Sequence, residues 1–175
     1  MSESTDNTTR ISESPTSQET YNAAREYVVK AQKQVTVAVN FAMATAYWNI
    51  GKLIYEASGE NERAEYGTQL LQFLSDKLTP EFGKGFSVPN LRNMRQFFLA
   101  FKNRNALRSE LSWTHYRHIM RVESPEARDF YVSECAASNW SERELKRQID
   151  THLYERLLRT QEAELLDGAT DAERA

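Results

Sequence analysis

From about Gln18 to Glu56, apolar residues recur at spacings of three and four: Tyr21, Ala24, Val28, Ala31, Val35, Val39, Ala42, Ala46, Ile50 and Leu53. Positions so spaced share one face of an α-helix, whereas a half-buried strand would alternate. The spacing predicts one long amphipathic helix, or two joined at a kink. Val37, Phe41, Met43, Tyr47 and Trp48 widen the stripe in its second half, which implies contact on more than one face, in a core or at a subunit interface. Six glycines and four prolines in 175 residues leave few breaks for short strands. Ala, Leu, Glu, Arg and Gln dominate, so the expected class is all-α: a long N-terminal helix plus a helix-turn-helix-like helical bundle.

Within that helix, Gln34 to Gly51 carries no charge over 18 residues, close to the length that crosses a bilayer. Gln34, Thr36, Asn40, Thr45 and Asn49 weaken it for insertion, so a buried helix is expected and no membrane partner. The first 20 residues are polar and hydroxyl-rich, without the basic and apolar regions of a secretory signal. One cysteine, Cys135, permits no internal disulfide and no multi-cysteine metal site, and a cytoplasmic setting is expected. With 40% hydrophobic residues the chain can fill one core. The expected organisation is a disordered polar arm over 1–17, a helical domain over 18–160 and an acidic disordered tail over 161–175.

Further helices follow from local signals. Leu70, Leu71, Phe73, Leu74 and Leu78 mark a second helix that Thr79-Pro80 is expected to disrupt. Gly83-Lys84-Gly85-Phe86 reads as a turn, and Ser87 as the N-cap of a helix carrying Leu91, Met94, Phe98 and Phe101. Leu111 to Val122 is expected to be helical with Ser112 as its cap, and Ser124-Pro125 opens the next helix, ending near Ala137. Ser141-Glu142-Arg143-Glu144 reads as a capping box for a last helix through Leu157 or beyond.

The formal net charge of −3 conceals a basic centre. Residues 80 to 122 hold eight Lys and Arg against Glu81 and Glu110, a net of +6, while both ends are acidic. Concentrated positive charge suits a polyanion. At 100° per residue, the Ser87 to Lys102 helix sets Pro89, Arg92, Asn93, Gln96 and Ala100 opposite its apolar side, with Arg95 on the flank. Arg can bond guanine bidentately and Asn or Gln can bond adenine, so these side chains suit base edges. The Leu111 to Val122 helix sets Trp113, Tyr116, Ile119 and Met120 on one side and Thr114, Arg117, His118 and Arg121 on the other, where they could hold phosphates with Lys84. An ordinary solvated cationic face is the competing reading of both surfaces.

No catalytic residue is expected. His115 and His118 stand about 60° apart in projection with no third ligand at metal spacing, so neither a metal nor another cofactor is expected. Cys135 reads as a buried structural thiol. The sequence has no glycine-rich phosphate loop, HExxH pair or serine elbow.

The runs YWNIGKLI (47–54), RAEYGTQLLQFLSDKLTPEFGKGFSVPNLRNMRQFFLAF (63–101), LSWTHYRHIMRV (111–122) and NWSERELKRQIDTHLYERL (139–157) resemble the N-terminal domain of the YhcG family. EFGKGFS followed by NLRNMRQF is among the most specific parts. The resemblance spans roughly residues 40 to 157 and implies a DNA-binding helical module of the kind that precedes a PD-(D/E)xK nuclease domain. It implicates the Gly83 to Gly85 turn and the Asn90 to Gln96 segment. Past Leu157 this sequence runs into LRTQEAELLDGATDAERA, which offers no room for a nuclease's carboxylates and lysine. The expectation is a non-enzymatic DNA-binding module serving a nuclease or restriction-type system, or else an interaction subunit that assembles with a separately encoded nuclease or with itself through the long helix.

Overall fold

A computed structural model describes residues 15–58 and 64–172, with side chains over 16–58 and 66–163. The helices are α1 (Pro15–Ser58), α2 (Ala64–Phe82), α3 (Val88–Ala100), α4 (Trp113–Ile119), α5 (Pro125–Ser138), α6 (Glu142–Asp150) and α7 (Leu153–Ala172). Two 3-10 turns lie at Lys84–Phe86 and Arg104–Ala106. No strand occurs among the described residues, and the protein is all-α.

The chain divides into two units after Val39, so α1 contributes to both. In the first unit, every described side chain from Thr16 to Val39 is exposed except Ser17 and Val37, which are half-buried. The uncharged stretch 34–51 is helical, yet only its second half is buried, at Ala44, Trp48 and Gly51. The expectation of a buried helix is corrected for residues 34–43, of which none is buried and Phe41 and Met43 stay exposed. No described helix is long and apolar enough to cross a membrane.

The second unit is built on two apolar clusters. Ile54, Leu71, Leu91 and Met94 join α1, α2 and α3. Phe97, Phe101, Tyr116, Ile119, Tyr131 and Leu145 lead the larger one, which gathers α3 to α6. Trp113 packs against both. The α1–α3 crossing is close enough that a Cβ on Gly51 would stand 1.9 Å from the Met94 carbonyl oxygen.

Several helix ends differ from expectation. Pro80 does not end α2, which continues to Phe82, closed by a bond from Gly83 N–H to Thr79 O at 2.9 Å. Pro80 has no N–H to give the Asp76 carbonyl, so it removes one bond from the turn before it, and the helix closes beyond it through the Gly83 bond. Ser87 stands at the N-cap of α3, but its side chain makes no capping bond. The helix expected over 111–122 is confined to Trp113–Ile119, with Ser112 and His115 forming its capping box. Ser124 caps α5 through Ala127 N–H. Ser141 caps α6 through Glu144 N–H, while the Glu144 carboxylate turns to Arg147 and Gln148. The last helix breaks at Thr151 and His152, the latter at φ 51°, before α7 resumes. The acidic segment from residue 161, expected as an unstructured tail, continues α7 as far as Ala172 because its Glu, Ala and Leu residues favour helix. Of the expected polar arm, residues 1–14 lie outside the described residues, and 15–17 belong to α1.

Candidate nucleic-acid interface

α3 carries most of the candidate residues, and its orientation follows from its apolar side. Leu91, Met94 and Phe97 are buried, which leaves Arg92 and Gln96 exposed one turn apart, with Asn93 and Arg95 half-buried at the edges. The projection from sequence agrees with this at Arg92 and Gln96, whereas Ala100, placed on the polar side, packs against the larger apolar cluster. Phe97 meets Trp113, Tyr116 and Phe101 at ring-centroid separations of 5.4, 4.8 and 5.6 Å, mostly edge to face. Such contacts fix geometry as well as bury area. They tie α3 to α4, so that the polar sides of both helices are set by one aromatic cluster.

Lys84 lies exposed in the 3-10 turn before α3. Gly83 opens that turn at φ 91°, a left-handed conformation that a side chain would strain. Phe86 anchors it, packing edge to face on Phe82 at 5.9 Å and Tyr47 at 6.2 Å.

On α4, Tyr116, Ile119 and Met120 face the core, while Arg117 and His118 are half-buried and Arg121 is exposed. Tyr116 Oη accepts a 2.7 Å bond from Arg108 N–H, and burial raises its hydroxyl pKa to about 12, so it stays protonated. Arg117 Nε is shielded from solvent with no acceptor. Among the described residues, Lys84, Arg92, Arg117 and Arg121 form no ion pair. Outside the segment Lys52 pairs with Glu56, Lys146 with Asp150 and Arg147 with Glu144, while Arg25, Lys30, Lys33, Lys77, Arg128, Arg143, Arg156 and Arg159 form no ion pair among the described residues either.

His118 is more constrained than the sequence suggested. Its Nε2 lies 3.2 Å from Glu142 Oε1, and an incoming phosphate would compete with that carboxylate. His118 and Arg121 share a depression of about 420 Å³ with Tyr131, Ile149, His152 and Glu155. Lys84, Arg92, Asn93, Arg95, Gln96 and Arg117 do not line it. Sequence reading missed His152 and Glu142 because both reach α4 from α6 or the turn after it, and no periodicity reports a contact 24 residues away.

His115 and His118 engage different partners. The His115 ring spans Ser112 N–H, 3.2 Å from Nδ1, and the Trp140 carbonyl, 3.0 Å from Nε2, tying the start of α4 to the turn before α6. No cluster of three or more ligating side chains suited to a metal occurs among the described residues. Cys135 is buried in α5, and desolvation pushes its thiol pKa up to about 11. The native protein should therefore react with a thiol reagent at pH 8 at least tenfold more slowly than the urea-unfolded chain; equal rates in a colorimetric assay would contradict the burial.

The family model described as DUF1016 N-terminal domain matches residues 23–156. A curated protein of Escherichia coli (strain K12) named "Putative nuclease YhcG" is 31% identical over 174 residues, covering 81% of this chain and 46% of that protein. The chain thus spans about half the length of that relative. No solved structure matches. The family match extends from within α1 through α6 into α7 and includes every candidate side chain above, and the chain belongs to the DUF1016 N-terminal domain family.

Proposed function

We propose that this chain is a DNA-binding module that recognises DNA on behalf of a nuclease without cutting it. In this reading α2, the Gly83 turn and α3 act as a helix-turn-helix, with Arg92, Asn93, Arg95 and Gln96 toward base edges in a groove. Lys84, Arg117, His118 and Arg121 hold backbone phosphates. The observation that carries it is that, among the described residues, Lys84, Arg92, Arg117 and Arg121 have no carboxylate partner in a segment with a net charge of +6. The name of the E. coli relative makes a nuclease the natural partner class.

The test is duplex and single-stranded DNA binding against salt. Each phosphate engaged contributes about −0.9 to the slope of log K against log salt on duplex DNA, so Lys84→Ala with Arg121→Ala should flatten it by about 1.8. Gln96→Ala should change sequence preference and leave the slope alone. No binding at about 50 mM salt would sink the proposal. Cleavage with added magnesium or manganese that a point mutation abolishes would sink its non-enzymatic half.

A further inference from the structure

Residues Tyr21 to Val39 of α1 form an exposed apolar seam that the DNA reading does not use. Numbered as heptads from Tyr21, the a positions are Tyr21, Val28 and Val35, and the d positions are Ala24, Ala31 and Ala38. None is buried: Tyr21 is 60% accessible, Val28 57% and Val35 62%. The repeat is seven residues over three heptads, the spacing that keeps one face turned toward a supercoiled partner.

Charge follows the same register. Glu19, Glu26 and Lys33 all fall at f, the position farthest from the seam, and Lys30 at c. Arg25, at e, is the one charge bordering the seam over residues 18–39. A helix meant to be solvated all round has no need to send its charges to one side. Such a helix is also marginal in water without packing on its apolar face.

We infer that this segment of α1 pairs with the same segment of a second copy as a parallel, in-register two-stranded coiled coil. Val28 and Val35 are β-branched residues at a, as in parallel two-stranded coils, and the small alanines at d leave the two backbones free to approach. In this register Arg25 faces Thr20 of the other copy and Gln32 faces Tyr27, so no like charges meet. Tyr27 and Val39, 77% and 54% accessible, flank the seam and widen its open apolar face. The inference stands independently of DNA binding.

Sedimentation of the full chain over about 5 to 500 µM tests it. Twice the 20.2 kDa chain mass is expected at the upper end. A monomer throughout would overturn the inference, whatever other protein the segment then binds. Val28→Glu with Val35→Glu should restore the monomer, with the melting temperature that the parent shows when diluted to monomer, since both side chains are exposed in the single chain; a dimer that survives the double change would place the contact elsewhere. Tyr21→Cys should give a disulfide-linked dimer on mild oxidation, because only a parallel in-register pair brings residue 21 against itself and Cys135 is buried. A non-covalent dimer that fails to cross-link would overturn the orientation.

Discussion

Gly51→Ala should destabilise the second unit by about 3 kcal/mol or more and lower its melting temperature by about 10 °C. In most helices the same change stabilises, because glycine costs about 1 kcal/mol relative to alanine in a helix interior. Here the added methyl would lie 1.9 Å from Met94 O, 2.5 Å from Met94 C and 3.1 Å from Arg95 N. All three are backbone atoms of α3, so no rotamer change relieves the overlap and the two helices must part. The displacement would act on the residues that carry Arg92, Arg95 and Gln96. Gly67→Ala is the control: its methyl would meet only Ser58 Oγ at 3.8 Å, an ordinary contact. That variant should be neutral or gain up to about 1 kcal/mol. Thermal unfolding followed by far-UV circular dichroism measures both, and a Gly51→Ala protein as stable as the parent would show that α1 and α3 do not cross this closely.

Gly51 also shows what the sequence could and could not reveal. Hydrophobic period located α1, α2 and α3, and it assigned the buried sides of α3 and α4, because side-chain direction in a helix is fixed by position alone. The close crossing at Gly51 was illegible, since a glycine inside a helical pattern reads first as a weakness. The first half of the uncharged stretch 34–51 was misjudged for a related reason: apolar character marks what could be buried, while burial depends on a partner that periodicity does not name. Helix ends were the least secure. Pro80 and Ser87 carried ordinary signals for a stop and a cap, yet α2 runs on to Phe82 and the Ser87 side chain makes no capping bond.

The candidate interface was legible to a similar degree. Arg92 and Gln96 are exposed together on α3 because their spacing dictates it. The pairing of His118 with Glu142 depends on α6 lying against α4, which no local pattern encodes. The net charge of the segment was readable from composition. That Lys84, Arg92, Arg117 and Arg121 have no carboxylate partner among the described residues required the fold, because ion pairing between helices is not encoded in any local pattern.

Trp48 ties α1 to α3, and truncating it should cost about as much as any single change in the protein. Its indole Nε1–H donates a 2.7 Å bond to the carbonyl of Phe101, the residue that ends α3 at φ −128°, and its ring packs edge to face on Phe98 at 5.2 Å. The carbonyls of a helix's last turn have no partner within the helix, so one enclosed by apolar side chains needs a donor from elsewhere. Trp48→Ala removes the donor and opens a cavity, with an expected loss of about 3–5 kcal/mol. Trp48→Phe separates the two effects. It keeps most of the ring and abolishes only the bond, leaving the Phe101 carbonyl unsatisfied at a cost of about 1–3 kcal/mol. Urea unfolding followed by circular dichroism, fitted with a common slope, resolves the order parent, Trp48→Phe, Trp48→Ala. A Trp48→Phe protein within about 0.5 kcal/mol of the parent would mean that the end of α3 finds another donor and that the tryptophan acts through its volume alone.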